Sequence, residues 1–225
     1  MSDGFIVALD GTAASGKSTT ARLAAHQLGF CFLDTGAMYR AITLKVIRKK
    51  LKPEDGPALR RLLEETKVDL ELDQIRIRVV LDGEDVTEAI RSPQVDHWVS
   101  PVSALSAVRE RMVVLQRELA DQKRIICEGR DMASVVFPGA QLKIFIDAKI
   151  EERARRRQKE LKNRGVDLAL SEVLGNLKDR DSFDRQRPTS PLMMVDDAVR
   201  LDTTDLSIDE EVGRVVAMVR ARLGS

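Results

Sequence analysis

The chain has 225 residues, 43% of them hydrophobic and 4% aromatic, with 37 Lys+Arg against 36 Asp+Glu and a net charge of +1. That length is ample for one domain with a substantial core, or for a core domain carrying a smaller insertion. The near-cancellation of so many charges argues against general polyanion attraction, and so against long nucleic acids as partners. No apolar run approaches the roughly 20 residues of a membrane span, and the Met-Ser-Asp-Gly start lacks the regions of a signal peptide, so a cytoplasmic protein with no membrane partner is expected. Cys31 and Cys127 stand among apolar neighbours and read as two buried thiols rather than a disulfide or metal pair. With His26 and His97 the only histidines, a zinc site is not expected.

Phe5 to Leu9 is an unbroken apolar run, the pattern of a strand buried on both faces, and it ends at Asp10-Gly11. After a loop, Ala21, Leu23, Ala24, Gln27 and Leu28 fall at helical spacing until Gly29 stops them. A short second strand over 30–33 leads into Asp34-Thr-Gly36 and a helix over about 37–49, the alternation of a parallel α/β sheet. Between about 68 and 86 the period changes to two. Ile75, Ile77, Val79 and Leu81 share one face, Arg76 and Arg78 the other, and Asp82-Gly83 supplies a hairpin turn, so a small antiparallel insert is expected. Helical periodicity returns over about 102–120, followed by apolar strands at 124–128 and 142–147. A basic stretch from Glu151 through Arg157, Lys159, Lys162 and Arg164 has almost no apolar stripe and is expected to project from the core. A second charged helix covers about 170–187. A strand at 198–201 and a helix opened by the capping box Ser207-Ile-Asp-Glu210 close the chain.

Gly11-Thr-Ala-Ala-Ser-Gly-Lys-Ser18 satisfies the phosphate-loop pattern G-x-x-x-x-G-K-[ST] in its required setting, after a strand and before a helix. Such a loop turns its amides inward around phosphate oxygens, the helix N-terminus adds positive potential, Lys17 bridges the outer phosphates and Ser18 can ligate magnesium. Gly11, Thr12, Ala13, Ala14, Ser15, Gly16, Lys17, Ser18 and Thr19 are therefore the expected ATP-binding residues. The loop alone specifies only a nucleoside triphosphate, and GTPases and motor ATPases share it. Two further motifs, Asp34-Thr-Gly-Ala-Met-Tyr39-Arg40 and Glu128-Gly-Arg130-Asp131, follow other core strands at the carboxyl ends where α/β sheets bind ligands.

With these motifs the sequence closely resembles the bacterial cytidylate kinases, nucleoside monophosphate kinases that phosphorylate CMP and dCMP. Beside the phosphate loop, the carrying segments are LDTGAMYRAI (33–42), LDGEDVTEAIRSPQV (81–95), EGRDMASVVFP (128–138), LKIFIDA (142–148) and RDSFDRQRP (180–188), with LDTTDLSIDE (201–210) extending the likeness. The resemblance implies an α/β P-loop NTPase core with a five-stranded parallel sheet, a monophosphate-binding insert with a small antiparallel sheet, and a helical lid. The implied division is core 1–37, 105–149 and 188–225, insert 38–104, and lid 150–187. It also implies a monomer whose small-molecule substrates are ATP and CMP or dCMP, with Mg2+ as cofactor.

A monophosphate acceptor and ATP are both polyanions, so arginines are needed from several directions, and planar guanidinium forks suit phosphate better than ammonium groups. By resemblance, Arg40, Arg130 and Arg187 surround the acceptor phosphate with Tyr39 close by, and Lys17, Arg130 and Arg187 serve the transition state. A carboxylate accepts from the 4-amino group of cytosine but meets the 4-oxygen of uracil acceptor to acceptor, which makes Asp131 the candidate for base selection. Ser100 and Arg109 resemble the residues completing the cytosine contacts; Ser100 also reads as a helix cap or loop hydroxyl. Asp34, Thr35, Arg180 and Asp184 resemble residues elsewhere around the acceptor nucleotide.

The basic stretch admits three readings: a solvated helix face, a nucleic-acid patch, or the mobile lid of a nucleotide kinase. At helical spacing Arg153, Arg156 and Arg157 share a face, so the lid reading has them close together over the ATP phosphates. Magnesium is expected on the ATP phosphates, Ser18 and water, with Glu128 as the carboxylate orienting those waters and Asp147 as a cap of the lid helix. Many relatives have Asp at the position of Glu128, and Thr12 and Ala14 stand where Pro and Gly are frequent. The rival readings are a kinase for another small acceptor, such as UMP or shikimate, and an NTP-dependent or RNA-associated regulator using the basic stretch.

Overall fold

The computed structural model describes residues 4–54, 56–72 and 77–224. Its centre is a five-stranded sheet built from β1 (Phe5–Gly11), β2 (Cys31–Asp34), β6 (Arg124–Gly129), β7 (Leu142–Asp147) and β8 (Val199–Asp202), in the order β2-β6-β1-β7-β8. Every adjacent pair is parallel. Successive strand side chains point to opposite faces, so the apolar runs feed two cores. Ala8, Leu33, Ile125 and Cys127 join one cluster with α2 (Thr35–Arg48), while Val7, Leu9, Phe32 and Ile126 join another with α1 (Lys17–Leu28) and α8 (Ile208–Leu223). The order reverses direction at β1, whose neighbours β6 and β7 lie on either side, and a ligand crevice forms at such a switch point.

Local chemistry sets the element ends. Helix α1 stops where Gly29 adopts φ 66° and its amide donates to Ala25 O and His26 O. Asp34 caps α2 by accepting from Ala37 N, and Ser207 and Glu210 form the expected reciprocal cap of α8. At Gly11 a Cβ would lie 2.0 Å from Ile146 O, so only glycine lets β1 turn into the phosphate loop beside β7.

The antiparallel insert is present as β3 (Val68–Leu72), β4 (Ile77–Leu81) and the two-residue β5 (Glu84–Asp85). Asp82 and Gly83, at φ 51° and 88°, form its turn. Val79 and Leu81 are buried as the alternation requires; Ile75 and Arg76 lie outside the described residues. Two helices were not anticipated, α3 (Pro57–Glu64) and α4 (Pro93–Ala104), the second followed after a break at Leu105 by α5 (Ser106–Ala120). Pro101 masks α4 in the sequence because an interior proline ordinarily ends a helix. Ser100 therefore sits inside a helix, and Ser92 is the cap, accepting from Val95 N.

The two charged helices are α6 (Ile150–Asn163) and α7 (Leu170–Gln186). They do not project free: Ala154, Val173 and Leu177 form a small apolar cluster with Ala13 of the phosphate loop. Among the described residues no helix is long and apolar enough to cross a membrane. Both cysteines are free thiols, and burial pushes the Cys127 thiol up.

Candidate functional site

A cleft of about 840 Å³ opens at the carboxyl ends of the sheet strands. Its floor is the phosphate loop from Ala13 to Thr19; Gly11 and Thr12 do not line it. The loop is held by its own polar groups and by its neighbours. Ser15 Oγ and Lys17 Nζ both donate to Thr12 O, at 3.0 and 3.3 Å. Thr12 Oγ1 donates to Asp147 Oδ1 at 2.8 Å, so the threonine fastens the loop to the end of β7. This corrects the expected role of Asp147: α6 begins after Lys149, and Asp147 braces the phosphate loop instead. Ala14 takes up φ 59° without being glycine.

Glu128, at the end of β6, sits where this floor meets the facing walls. Ser18 Oγ donates to its Oε1 at 2.7 Å and Lys17 Nζ lies 3.8 Å from its Oε2. Burial, and then the nearby Arg130, pull the Lys17 ammonium down to about 8. Asp34 stands opposite Glu128 in the strand register. Burial and that neighbouring carboxylate raise the Asp34 carboxyl above its ordinary range.

The other expected site residues gather on the facing walls. Asp131 pairs with Arg109, both almost fully buried, and the Arg109 guanidinium lies 5.2 Å from the Tyr39 ring centre. Arg130 Nε donates to Asp184 Oδ2 at 2.9 Å, and Arg187 Nη1 is 3.9 Å from Asp184 Oδ1. Burial opposes ionisation of Asp184, yet Arg130, Arg180 and Arg187 together hold its carboxyl below the usual range. Arg180 is drawn down to about 10 by burial and by Arg130, the mark of a site with more buried cation than its carboxylates neutralise. Buried donors remain without a protein partner at Arg180 Nε and Arg187 Nη2. Ser100 lines the cleft as well. The Thr35 hydroxyl is spent internally, donating to Glu128 O at 2.7 Å.

The three expected lid arginines do not share one task. Arg157 lines the cleft, 3.7 Å from Asp96, which also pairs with Arg40 at 2.6 Å. Arg153 instead turns inward, donating to Ala13 O and Asp181. Arg156 donates to Thr203 O at 2.6 Å and to Glu211 and Ser15 O. The picture of all three over the cleft is therefore corrected, because two of them anchor the helix to the loop. Arg155, Arg157 and Arg164 pair with Glu152 or Glu160 on their own helix, which leaves little of the stretch as an open basic patch. Sequence reasoning missed Asp96, Asp181, Thr203 and Glu211, whose partners are distant in the chain and carry no local signal.

The family model for cytidylate kinase matches residues 7–221. The cytidylate kinase of Caldanaerobacter subterraneus subsp. tengcongensis is 47% identical over 95% of this chain and 94% of its own. That of Caldicellulosiruptor bescii is 46% identical over 94% of each, and that of a Thermotoga species, strain RQ2, 42% identical over 99% of this chain and 100% of its own. The phosphate loop, the arginine-rich walls and the Arg109–Asp131 pair thus belong to a chain matched along nearly its whole length: it is a member of the cytidylate kinase family.

Proposed function

We propose that the cleft holds ATP and the acceptor nucleotide end to end, with Lys17 and the loop amides on the ATP phosphates, and Arg40, Arg130 and Arg187 on the acceptor phosphate. The reaction is that of the family, transfer of the γ-phosphoryl group of ATP to CMP or dCMP, giving ADP and CDP or dCDP. An acceptor phosphate oxygen forms the new bond to the γ-phosphorus as the bond to the β-phosphate oxygen breaks, and no covalent enzyme intermediate is needed. Catalysis is then in-line positioning plus stabilisation of moving negative charge.

The observation that carries the assignment is the meeting of the phosphate-loop lysine with the Arg130–Asp184–Arg187 cluster in one cleft, where buried guanidinium donors still lack partners. Asp131, held by Arg109, reads the 4-amino group of cytosine, with Ser100 beside it; Asp34, Thr35 and Tyr39 shape the acceptor side and Arg180 and Asp184 the sugar side. The division is core 1–37, 105–149 and 188–225, acceptor-binding insert 38–104, and lid 150–187 carrying Arg157 over the ATP phosphates.

The donor set fits magnesium. Ser18 and Glu128 offer hard oxygen donors at hydrogen-bonding distance from each other. That is the pattern for a hard cation bound mainly by nucleotide phosphates and water. Ser18 would ligate it and Glu128 orient its water; when bound it neutralises phosphate charge. The same reading takes the protein as a cytoplasmic monomer. Lys17→Ala and Arg130→Ala test the assignment by CMP-dependent ADP release: the first abolishes turnover and the second acts mainly through the acceptor. Near-normal CMP phosphorylation in both contradicts it.

A further inference from the structure

Asp10 lies in β1 directly before the phosphate loop and is 2% exposed. Its two carboxylate oxygens accept from Met132 N and Ala133 N, each at 2.8 Å. Those amides open the single π-turn Met132–Val136, and the first amides of a helical turn find no partner within it. The residue placed to cap them is Asp131, and a capping aspartate ordinarily folds its carboxylate back onto such donors. Asp131 makes no capping bond of this kind. Its carboxylate pairs with Arg109 on the cleft wall, while its carbonyl accepts from Val135 N and Val136 N at 2.9 and 3.1 Å. Asp10 caps the turn in its place, from a different strand.

We propose that Asp10 is a positioning residue for acceptor-base selection: by holding Met132 N and Ala133 N from β1, it leaves the Asp131 carboxylate free to face the base and ties the base-reading segment to the strand that launches the phosphate loop. The inference rests on Asp131 as the base-selecting carboxylate. Without Asp10, Asp131 is the capping residue left to satisfy the two amides, and turning inward removes it from Arg109 and the base. The charged and titratable groups facing Asp10 are Asp131 and Arg130 on that segment and the Cys127 thiol on β6. Burial pushes the Asp10 carboxyl up to about 6 against the pull of the two amides. Below that pH a hydrogen replaces an acceptor lone pair and the cap weakens.

Steady-state kinetics on Asp10→Asn, Asp131→Asn and the double variant, with CMP and with UMP at saturating MgATP, separate the two ideas. If Asp131→Asn keeps the wild-type preference for CMP over UMP, the base-selection reading itself fails. If it loses that preference, the inference predicts that Asp10→Asn raises KM for CMP about tenfold and lowers the CMP-to-UMP ratio of kcat/KM by a similar factor, as expected for losing a buried charged acceptor. KM for ATP stays within about twofold, and Asp10→Asn adds no further loss of preference to Asp131→Asn. An unchanged ratio in Asp10→Asn, or a full additional loss in the double variant, overturns the inference alone. If Asp10→Asn does not fold, the wild-type ratio against pH is the readout, because phosphate ionisation is common to both acceptors and cancels. The ratio falls as pH drops through about 6; a flat ratio from about pH 8 to about 5.5 overturns the inference.

Discussion

Arg153 and Asp181 form a buried ion pair 2.7 Å long that holds Ala13 through both its C=O and its N–H. Arg153 Nη1 donates to Ala13 O at 3.1 Å, and Ala13 N donates to Asp181 Oδ1 at 3.4 Å. The bases of the two charged helices are thereby fastened to the phosphate loop. Removing one partner of a buried pair strands the other, so Arg153→Ala is expected to cost about 3 kcal/mol of unfolding free energy. Arg157, partly exposed and paired with side chains alone, is expected to cost less than about 1 kcal/mol as Arg157→Ala while lowering kcat. Denaturant unfolding beside turnover measurements checks the contrast, and equal stability losses for the two variants contradict it.

The contrast between these arginines also marks what was legible in the sequence. The phosphate loop, the strands and the capping box of the last helix are local patterns, and Gly11-to-Ser18 and Ser207 stand as their spacing required. Helical periodicity places Arg153, Arg156 and Arg157 near one another but cannot say which faces solvent, because that depends on Ala13, Asp181, Thr203 and Glu211 from other parts of the chain. Likewise α4 was hidden by Pro101. The capping of Met132 by Asp10, 122 positions earlier, has no local signature at all.

Lys17 gives a pH prediction of definite sign. Its folded pKa of about 8 lies below the ordinary 10.5, so between these values the unfolded chain binds more protons and the stability of the nucleotide-free protein rises with pH. Below pH 8 the cost of burying the ammonium is at its full size. Lys17→Met is therefore expected to be more stable than wild type at pH 7, by up to about 3 kcal/mol, although inactive. The gap narrows as pH rises from 8 towards 10. Unfolding curves of both proteins across that range check it, and a gap independent of pH contradicts the assignment of the penalty to Lys17.

Glu128 holds Ser18 directly, so Glu128→Gln should leave the fold intact but weaken the orientation of the metal's water. The Mg2+ concentration giving half-maximal turnover is expected to rise by about tenfold. A magnesium titration at fixed ATP measures it, and an unchanged midpoint removes Glu128 from the metal's surroundings.

On the proposed function, one cleft joins a phosphate-loop ATP site to a pocket selecting cytosine. Coupled measurement of ADP release with CMP, dCMP, UMP, AMP and shikimate as acceptors tests it most directly. Rapid release with CMP and dCMP, and weak release with the other three, is the predicted result; equal rates with CMP and UMP, or ADP release indifferent to any acceptor, would contradict it.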